Sequence, residues 1–202
     1  MKIEIMDTTL RDGEQTPGLA YTQHEKLTVA KALLEDVKVD RIEVASANVS
    51  KGELASVQAI SSMCQKRGCL NKVEVLGFTD GTRSVDWIVS SGARVMNLLC
   101  KGSLNHVTNQ LRKTPEQHLE DIKFVINYAA EKNISVNVYL EDWSNGIMNS
   151  PDYVFFLVDN LKELPVMRFM LPDTLGILNP SQTYEYCSKM VEKYPEIKFD
   201  FH

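Results

Sequence analysis

Apolar and polar positions follow two periods that alternate along the chain. Segments with the apolar runs or strict alternation of β-strands lie at residues 3–6, 40–45, 72–78, 94–100, 134–141, 166–171 and 197–201. Between them, apolar residues recur at helical spacing, which predicts helices that begin near residues 22, 50, 80, 115, 151 and 180. Thr22 and Glu25 have the spacing of a capping box at the start of the first helix. Strict strand–helix alternation predicts an α/β fold with a parallel sheet.

The parity of the strand residues distinguishes an open sheet from a barrel. Strands buried on both faces of an open sheet read as continuous apolar runs. Here Ile42 and Val44 share one face of their strand, and Arg41 and Glu43 share the other; residues 134–141 alternate in the same way. One apolar and one mixed face per strand predicts a (β/α)8 TIM barrel whose active site lies at the carboxyl ends of the strands.

The number of predicted strands sets the expected domain organisation. A complete barrel has eight strands, and the 202 residues supply about seven. We therefore expect residues 1–202 to be the N-terminal portion of a TIM-barrel catalytic domain, with no second domain in this chain. No internal repeat, low-complexity tract or linker interrupts the pattern.

Composition narrows the class of protein. The chain is 44% hydrophobic and 24% charged, with a net charge of −5, which offers no general attraction to nucleic acid or to an anionic membrane. It contains neither a transmembrane-length apolar run nor a signal-peptide pattern, so we expect a cytoplasmic protein. The cysteines are few and unevenly spaced, which favours reduced, packed thiols over a zinc cluster; they are Cys64, Cys69, Cys100 and Cys187.

The segment from Asp7 to Gly18 is unusually rich in chemistry-bearing residues. Its sequence, D-T-T-L-R-D-G-E-Q-T-P-G, contains three carboxylates and one guanidinium just after the first predicted strand. A turn explains the glycines and the proline, and an exposed Arg11–Asp12 ion pair would explain part of the remainder. The string D-T-T-L-R-D-G-E-Q resembles the opening motif of the isopropylmalate, homocitrate and citramalate synthases, which are HMG-CoA-lyase-like, metal-dependent TIM-barrel enzymes.

The resemblance implies a metal site and a reaction. It makes Asp12 a ligand of a divalent metal (Zn²⁺, Mg²⁺ or Mn²⁺), and Arg11 the group that faces the reacting oxygen. The end of the chain, F-D-F-H, is similar to the approach to the family's His-x-His pair, which makes His202 a second ligand. The implied substrates are a 2-oxo acid and acetyl-CoA, and the full-length protein is expected to be a homodimer.

Further strand ends match family positions near the substrate. The loop that contains Thr174 resembles the family's D-T-x-G loop, whose threonine hydroxyl binds the carboxylate of the 2-oxo acid. Glu141, in Y-L-E-D-W-S, is implied in positioning or proton transfer and is our candidate base. Glu43 is implied in supporting Arg11, and Gln15 is a further substrate-binding candidate.

The resemblance is greatest to the pyruvate-using, citramalate-forming members. In that branch two leucines and a tyrosine close an apolar wall over the pyruvate methyl group, and the matching residues are Leu76, Leu99 and Tyr139. Without the resemblance, the leucines are ordinary barrel core. The predicted function is therefore metal-dependent Claisen condensation of acetyl-CoA with pyruvate, giving citramalate for branched-chain amino-acid synthesis.

Three alternatives remain at the level of sequence. A 2-isopropylmalate synthase would use 2-oxoisovalerate, and a retro-aldol lyase of the same superfamily would break the bond that a synthase forms. A catalytically incomplete fragment would serve only as a binding or assembly module, and the isolated 202-residue chain is expected to be inactive or impaired. His106 and His118 are assigned to solvated surface.

Overall fold

The sheet of this chain contains parallel strands in sequence order. The computed structural model describes residues 3–202. Within that range the sheet has the order β1-β2-β3-β4-β5-β6-β7, with strands β1 (Met6–Asp7), β2 (Arg41–Ser46), β3 (Val73–Phe78), β4 (Val95–Lys101), β5 (Ser135–Glu141), β6 (Val166–Leu171) and β7 (Phe199–Phe201). Consecutive parallel order is the connectivity of a (β/α)8 barrel, whereas doubly wound sheets reverse their order part-way. The predicted fold class is confirmed.

Helices connect the strands. They are α1 (Gln23–Ala32), α2 (Lys51–Arg67), α3 (Arg83–Ser91), α4 (Pro115–Glu131), α5 (Trp143–Asn149), α6 (Pro151–Leu161) and α7 (Pro180–Lys193). Single π-helical segments follow α1, at Leu33–Val37, and β4, at His106–Leu111. No helix in residues 3–202 has the length and apolarity needed to cross a lipid bilayer.

The chain divides into two compact units. The first unit comprises residues 3–78, 82–97 and 131–134, and the second comprises residues 79–81, 98–130 and 135–202. In the first unit, β2 pairs with β1 and β3, and α1 packs on α2. In the second unit, β6 pairs with β5 and β7, and α5 packs on α6.

Local sequence explains where the helices begin. The side chain of Thr22 accepts a hydrogen bond from Glu25 N, and the Glu25 side chain accepts one from Thr22 N, so the predicted capping box is confirmed. Asn179 and Gln182 form the same reciprocal pair at the start of α7, where Pro180 occupies the first helical position.

Both faces of the central strands are buried, including the mixed face. Ile42 and Val44 are fully buried, and Arg41 and Glu43 are only 7% and 1% exposed. The alternation of residue types along β2 is as predicted, and ion pairs compensate the charges on its buried polar side.

The predicted bounds are wrong for the first and last strands, and one helix after β5 was not predicted. The strand expected at residues 3–6 occupies Met6–Asp7, and that expected at 197–201 occupies Phe199–Phe201. The last strand is shorter because a turn precedes it, in which Ile197 N donates to Tyr194 O. The helix Trp143–Asn149 was not among the predicted elements.

Candidate active site

A tight loop follows β1 and carries the signature residues. The amides of Arg11, Asp12 and Gly13 all point to the carbonyl oxygen of Thr8, at 3.1, 2.8 and 3.2 Å. Asp7 accepts hydrogen bonds from the amide and the hydroxyl of Thr9 at 2.9 and 3.2 Å. The loop therefore closes on its own backbone, which is the local turn chemistry of Asp and Thr.

The loop buries the side chain of Arg11. Its Nε donates to Glu43 Oε2 at 2.5 Å, and its NH1 donates to Asp12 Oδ1 at 2.6 Å. The other oxygen of Glu43 accepts from Asn97 Nδ2 at 2.7 Å. Glu43 thus contacts Arg11 directly, which is the contact that the resemblance implies. The Arg11–Asp12 pair is present, but Arg11 is buried and not exposed as in a surface ion pair. Guanidinium, carboxylate and amide form a charge-assisted chain that fixes Arg11 in one orientation.

A second buried ion pair, between Arg41 of β2 and Glu74 of β3, lies beside Glu43. Glu74 is the register partner of Glu43, and its Oε1 accepts from Arg41 NH1 at 3.0 Å. Burial raises the pKa of Glu74, and the negative charge of Glu43 adds to this, whereas Arg41 and a hydrogen bond from Asn97 lower it. Asn97 therefore mediates between two carboxylates that repel each other.

A buried lysine lies beneath the signature loop. Lys26 of α1 is 0% exposed; its Nζ lies 2.5 Å from Glu14 Oε2 and 2.7 Å from Glu53 Oε1, and it donates to Leu10 O at 3.4 Å. Glu14 also accepts from Tyr21 N at 2.9 Å. One ammonium thus joins the loop, α1 and α2, and two carboxylates compensate for its burial.

A cleft opens beside this loop in the first unit. It has a volume of about 700 Å³, and its wall includes Arg11, Gln15, Tyr21, Ser46 and Glu53. Gln15 is exposed at the end of a short 3₁₀ segment, where its backbone amide donates to Asp12 O at 3.0 Å. The volume is typical of sites for small organic ligands.

In the second unit, Glu141 pairs with a residue that the sequence analysis did not single out. The Lys101 ammonium donates to Glu141 Oε2; the two residues end the neighbouring strands β4 and β5. The side chains are 20% and 25% exposed. A lysine followed by glycine just after a predicted strand was the available signal, and the sequence analysis did not use it.

The backbones of β4 and β5 approach closely after this pair. Gly102 N donates to Glu141 O at 2.6 Å. A Cβ atom on Gly102 would lie 2.6 Å from the carbonyl oxygen of Leu140, and one on Gly146 would overlap the carbonyl oxygen of Gly102. Only glycine permits these distances, since the obstructing atoms are backbone.

Thr174 lies against the segment after β5. Its hydroxyl oxygen accepts a hydrogen bond from Asp142 N at 2.9 Å, which leaves its proton available for donation. Asp142 is 1% exposed, has a left-handed backbone (φ 66°), and accepts from Ser103 Oγ and Asn145 Nδ2 at 2.6 and 2.7 Å. Asp142 is thus the fixed point that orients Thr174.

His202 lies next to Tyr139. Its Nδ1 is 2.6 Å from the Tyr139 hydroxyl oxygen, and the two rings meet edge to face at 5.9 Å between centroids. This contact leaves Nε2 as the nitrogen free to bind a metal. Tyr139 is 5% exposed. Its hydroxyl group, which contacts His202, is polar, whereas the predicted wall is apolar.

The donors expected for a metal are of suitable chemistry but few. Within residues 3–202, no three or more His, Cys, Asp or Glu side chains converge on a common point. Asp12 uses Oδ1 for Arg11, is 44% exposed, and keeps Oδ2 for another partner. A carboxylate oxygen and an imidazole nitrogen fit the ligand preferences of Zn²⁺ and Mn²⁺; the two residues belong to different units and are described separately.

The two leucines of the predicted wall differ in burial. Leu76 on β3, in the first unit, is 5% exposed, and its carbonyl oxygen accepts from Ala47 N at 2.7 Å. Leu99 on β4, in the second unit, is half-buried. Leu99 is therefore the more accessible of the two.

The assignment of His118 to solvated surface is wrong. His118 is 1% exposed, and its Nε2 accepts from Lys101 N at 3.0 Å. Burial lowers its pKa to about 4, Asp121 opposes that change, and Lys113 and Lys101 add to it. His118 lies on the inward face of α4, where its neutral ring accepts a hydrogen bond from the backbone amide of Lys101 at the end of β4. His106 is partly buried, with Nε2 3.4 Å from Asp142 Oδ2.

Comparisons with known proteins identify relatives along the whole chain. The family model described as HMGL-like matches residues 2–202. The (R)-citramalate synthase CimA of Methanocaldococcus jannaschii is 33% identical over 193 residues, which cover 95% of this chain and 37% of the relative. The 2-isopropylmalate synthase of Saccharolobus solfataricus is 31% identical over 191 residues, covering 94% and 47%. The chain thus spans less than half the length of either relative.

The solved structures show the same fold. The crystal structure of the Bacillus subtilis HMG-CoA lyase matches with a TM-score of 0.77 at 20% identity, covering 100% of this chain and 68% of that one. At this identity the similarity concerns the fold alone, and it agrees with the barrel connectivity found here.

Proposed function

Because this chain belongs to the HMGL-like family, as its signature segment predicted, we propose that the protein is an acyltransferase that condenses acetyl-CoA with a 2-oxo acid. Relatives named citramalate synthase and 2-isopropylmalate synthase support this class of reaction. The structural observation that supports it best is the buried pair of Arg11 and Glu43, next to a half-exposed Asp12. This fixed guanidinium is suited to a developing oxyanion.

The proposed reaction forms one carbon–carbon bond and then cleaves a thioester. Glu141 takes a proton from the methyl group of acetyl-CoA, and the C–H electron pair forms a bond to the keto carbon of the 2-oxo acid. The keto oxygen gains the π electrons as an alkoxide, which Arg11 stabilises until it is protonated. Water then attacks the thioester, which releases CoA as a thiol and leaves a hydroxy dicarboxylic acid.

Asp12 and His202 are the proposed protein ligands of a divalent metal. Such an ion, when bound, supplies Lewis-acid polarisation of the keto group. Asp12 offers its second carboxylate oxygen, and Tyr139 holds His202 so that Nε2 is available. Thr174 keeps a hydroxyl proton for the substrate carboxylate while Asp142 N anchors its oxygen.

We propose pyruvate as the preferred 2-oxo acid, with Leu76, Leu99 and Tyr139 limiting the space beside its methyl group. The branched carbons of 2-oxoisovalerate would overpack that surface, at a typical cost of about 1–3 kcal/mol. This corresponds to a preference of roughly ten- to a hundredfold for pyruvate.

The test is the kcat/KM of the full-length gene product for both acids, with release of CoA as the readout. Leu99→Ala should narrow the preference by making room for the branch, and Leu104→Ala, at a leucine that is 36% exposed, is the matched control. A wild-type preference for 2-oxoisovalerate would support the alternative of a 2-isopropylmalate synthase. Cleavage of a hydroxyacyl-CoA with no condensation would indicate a lyase instead.

The signature loop is tested with conservative variants. Arg11→Lys retains the charge but loses the planar fork that binds Glu43 and Asp12 at once, so kcat should fall strongly. Asp12→Asn should weaken metal binding, measured by titration calorimetry, because a neutral amide is a poorer ligand. Unchanged turnover in both variants would exclude the loop from the reaction.

A further inference from the structure

The carboxylates Glu43 and Glu141 both lie on strands, but their hydrogen bonds differ. Glu43 is 1% exposed, and both of its oxygens are occupied, one by Arg11 and the other by Asn97. Glu141 is partly exposed, and its Oε2 is bound by Lys101. The structure gives Glu141 Oε1 no hydrogen-bond partner within residues 3–202. Both oxygens of Glu43 are therefore occupied, whereas one oxygen of Glu141 is available to a ligand.

Lys101 is held in place by its own backbone. Its amide donates to the buried His118 ring, and its carbonyl oxygen accepts from the Tyr153 hydroxyl at 3.0 Å. The next residue, Gly102, bonds the carbonyl of Glu141 at 2.6 Å. Three contacts from three different elements therefore fix the segment that carries the ammonium.

Desolvation of this frame is substantial. His118 is neutral and buried, and Tyr153 is 5% exposed. These two buried polar side chains bind the backbone at the end of β4 and hold it in place. The ion pair itself remains open to solvent on one side, where a ligand can approach.

We propose that Lys101 is a positioning residue for Glu141, an inference that rests on the function proposed above. The ammonium holds Oε2 and so directs Oε1 toward the methyl group of the thioester. In the step, the methyl C–H bond breaks, its proton moves to Oε1, and its electron pair forms the carbon–carbon bond. Lys101 keeps its own protons throughout, and its charge compensates the carboxylate before the transfer.

The experiment compares Lys101→Met and Lys101→Arg in the full-length gene product. Lys101→Met should lower kcat by about 10- to 100-fold, the scale of a misaligned base, and leave the KM of both substrates within about threefold. The kinetic isotope effect with trideuterated acetyl-CoA should rise, because proton transfer becomes more rate-limiting. Lys101→Arg retains the charge and the donors and should recover most of kcat.

Lys113→Met is the matched control. Lys113 forms a comparable lysine–carboxylate pair with Asp121 in the same unit, with side chains 41% and 37% exposed. Lys113→Met should leave kcat and the isotope effect unchanged. A kcat of Lys101→Met within twofold of wild type would overturn the inference, as would Lys101→Arg behaving like Lys101→Met.

Failure of the proposed function gives a different result. In that case the wild-type protein releases no CoA with pyruvate, 2-oxoisovalerate or 2-oxoglutarate, and the role of Lys101 is refuted with it. If the wild type is active and Lys101→Met has the kcat and isotope effect of wild type, the proposed function stands and the positioning role of Lys101 is refuted.

Discussion

The burial of His118 predicts a specific dependence of stability on pH. Its pKa is about 4 in the folded chain, against an ordinary value of 6.5. Between these two values the unfolded chain binds more protons, so the free energy of unfolding decreases as the pH falls from about 6.5 toward 4. The stabilisation that comes from keeping His118 neutral is fully present above pH 6.5 and is lost as the pH falls to about 4.

The size of the effect follows from the two pKa values. The complete shift corresponds to roughly 3 kcal/mol, and about 2 kcal/mol of this is lost between pH 7 and pH 5. His118→Gln removes the titrating group and keeps an acceptor for Lys101 N, so its stability should change less over the same range.

Urea unfolding of both proteins at pH 7 and pH 5 measures the difference directly. We expect wild type to lose about 2 kcal/mol more than His118→Gln, with equal slopes against urea. An NMR titration of the imidazole supplies an independent value for its pKa. Parallel pH dependences of the two proteins, or an imidazole that titrates near pH 6.5, would refute the reasoning.

Two further substitutions, each with a control variant, are tested by urea unfolding. Gly102→Ala should destabilise the second unit by about 1–3 kcal/mol, because the added carbon meets the β5 backbone. Gly52→Ala in α2, whose added carbon would meet only Ser50 Oγ at 3.6 Å, should instead stabilise by up to about 1 kcal/mol, and equal effects would contradict the close approach. Asn97→Leu should cost about 1–3 kcal/mol by leaving one oxygen of the buried Glu43 without its donor. Asn160→Leu, which removes an exposed bond, should cost less than about 1 kcal/mol, and a similar loss in both would refute the importance of the buried bond.

Much of the fold could be predicted from the sequence because the hydrophobic periodicity and the helix-capping residues indicate the same elements. The α7 helix begins at residue 180, as predicted, since Asn179 and Pro180 define its start chemically. The β6 strand, Val166–Leu171, is also as predicted. Where such signals are weak, tertiary packing decides: Trp143–Asn149 contains Ser, Asn and Gly, poor helix formers, yet it is helical around a fully buried Trp143.

The candidate site could be predicted only as far as contiguous motifs reach. Arg11, Asp12 and Glu43 were found because the resemblance covers them, and the contact between Arg11 and Glu43 is present. Lys101 and His118 were not found, since their importance arises from contacts between residues 17 and 40 positions apart. A histidine in an amphipathic helix reads the same in sequence whether it faces solvent or a strand-end amide.

The enclosed Lys26 provides a built-in reporter of motion in the first unit. Its amine is 0% exposed between Glu14 and Glu53, whereas Lys31, farther along the same helical stretch, is 56% exposed. An acylating reagent added to the native protein should therefore mark Lys31 and spare Lys26. Labelled peptides that contain Lys26 should accumulate only as fast as α1 lifts from α2 and from the signature loop. Mass spectrometry of the two peptides would thus time the opening of that loop without any engineered probe.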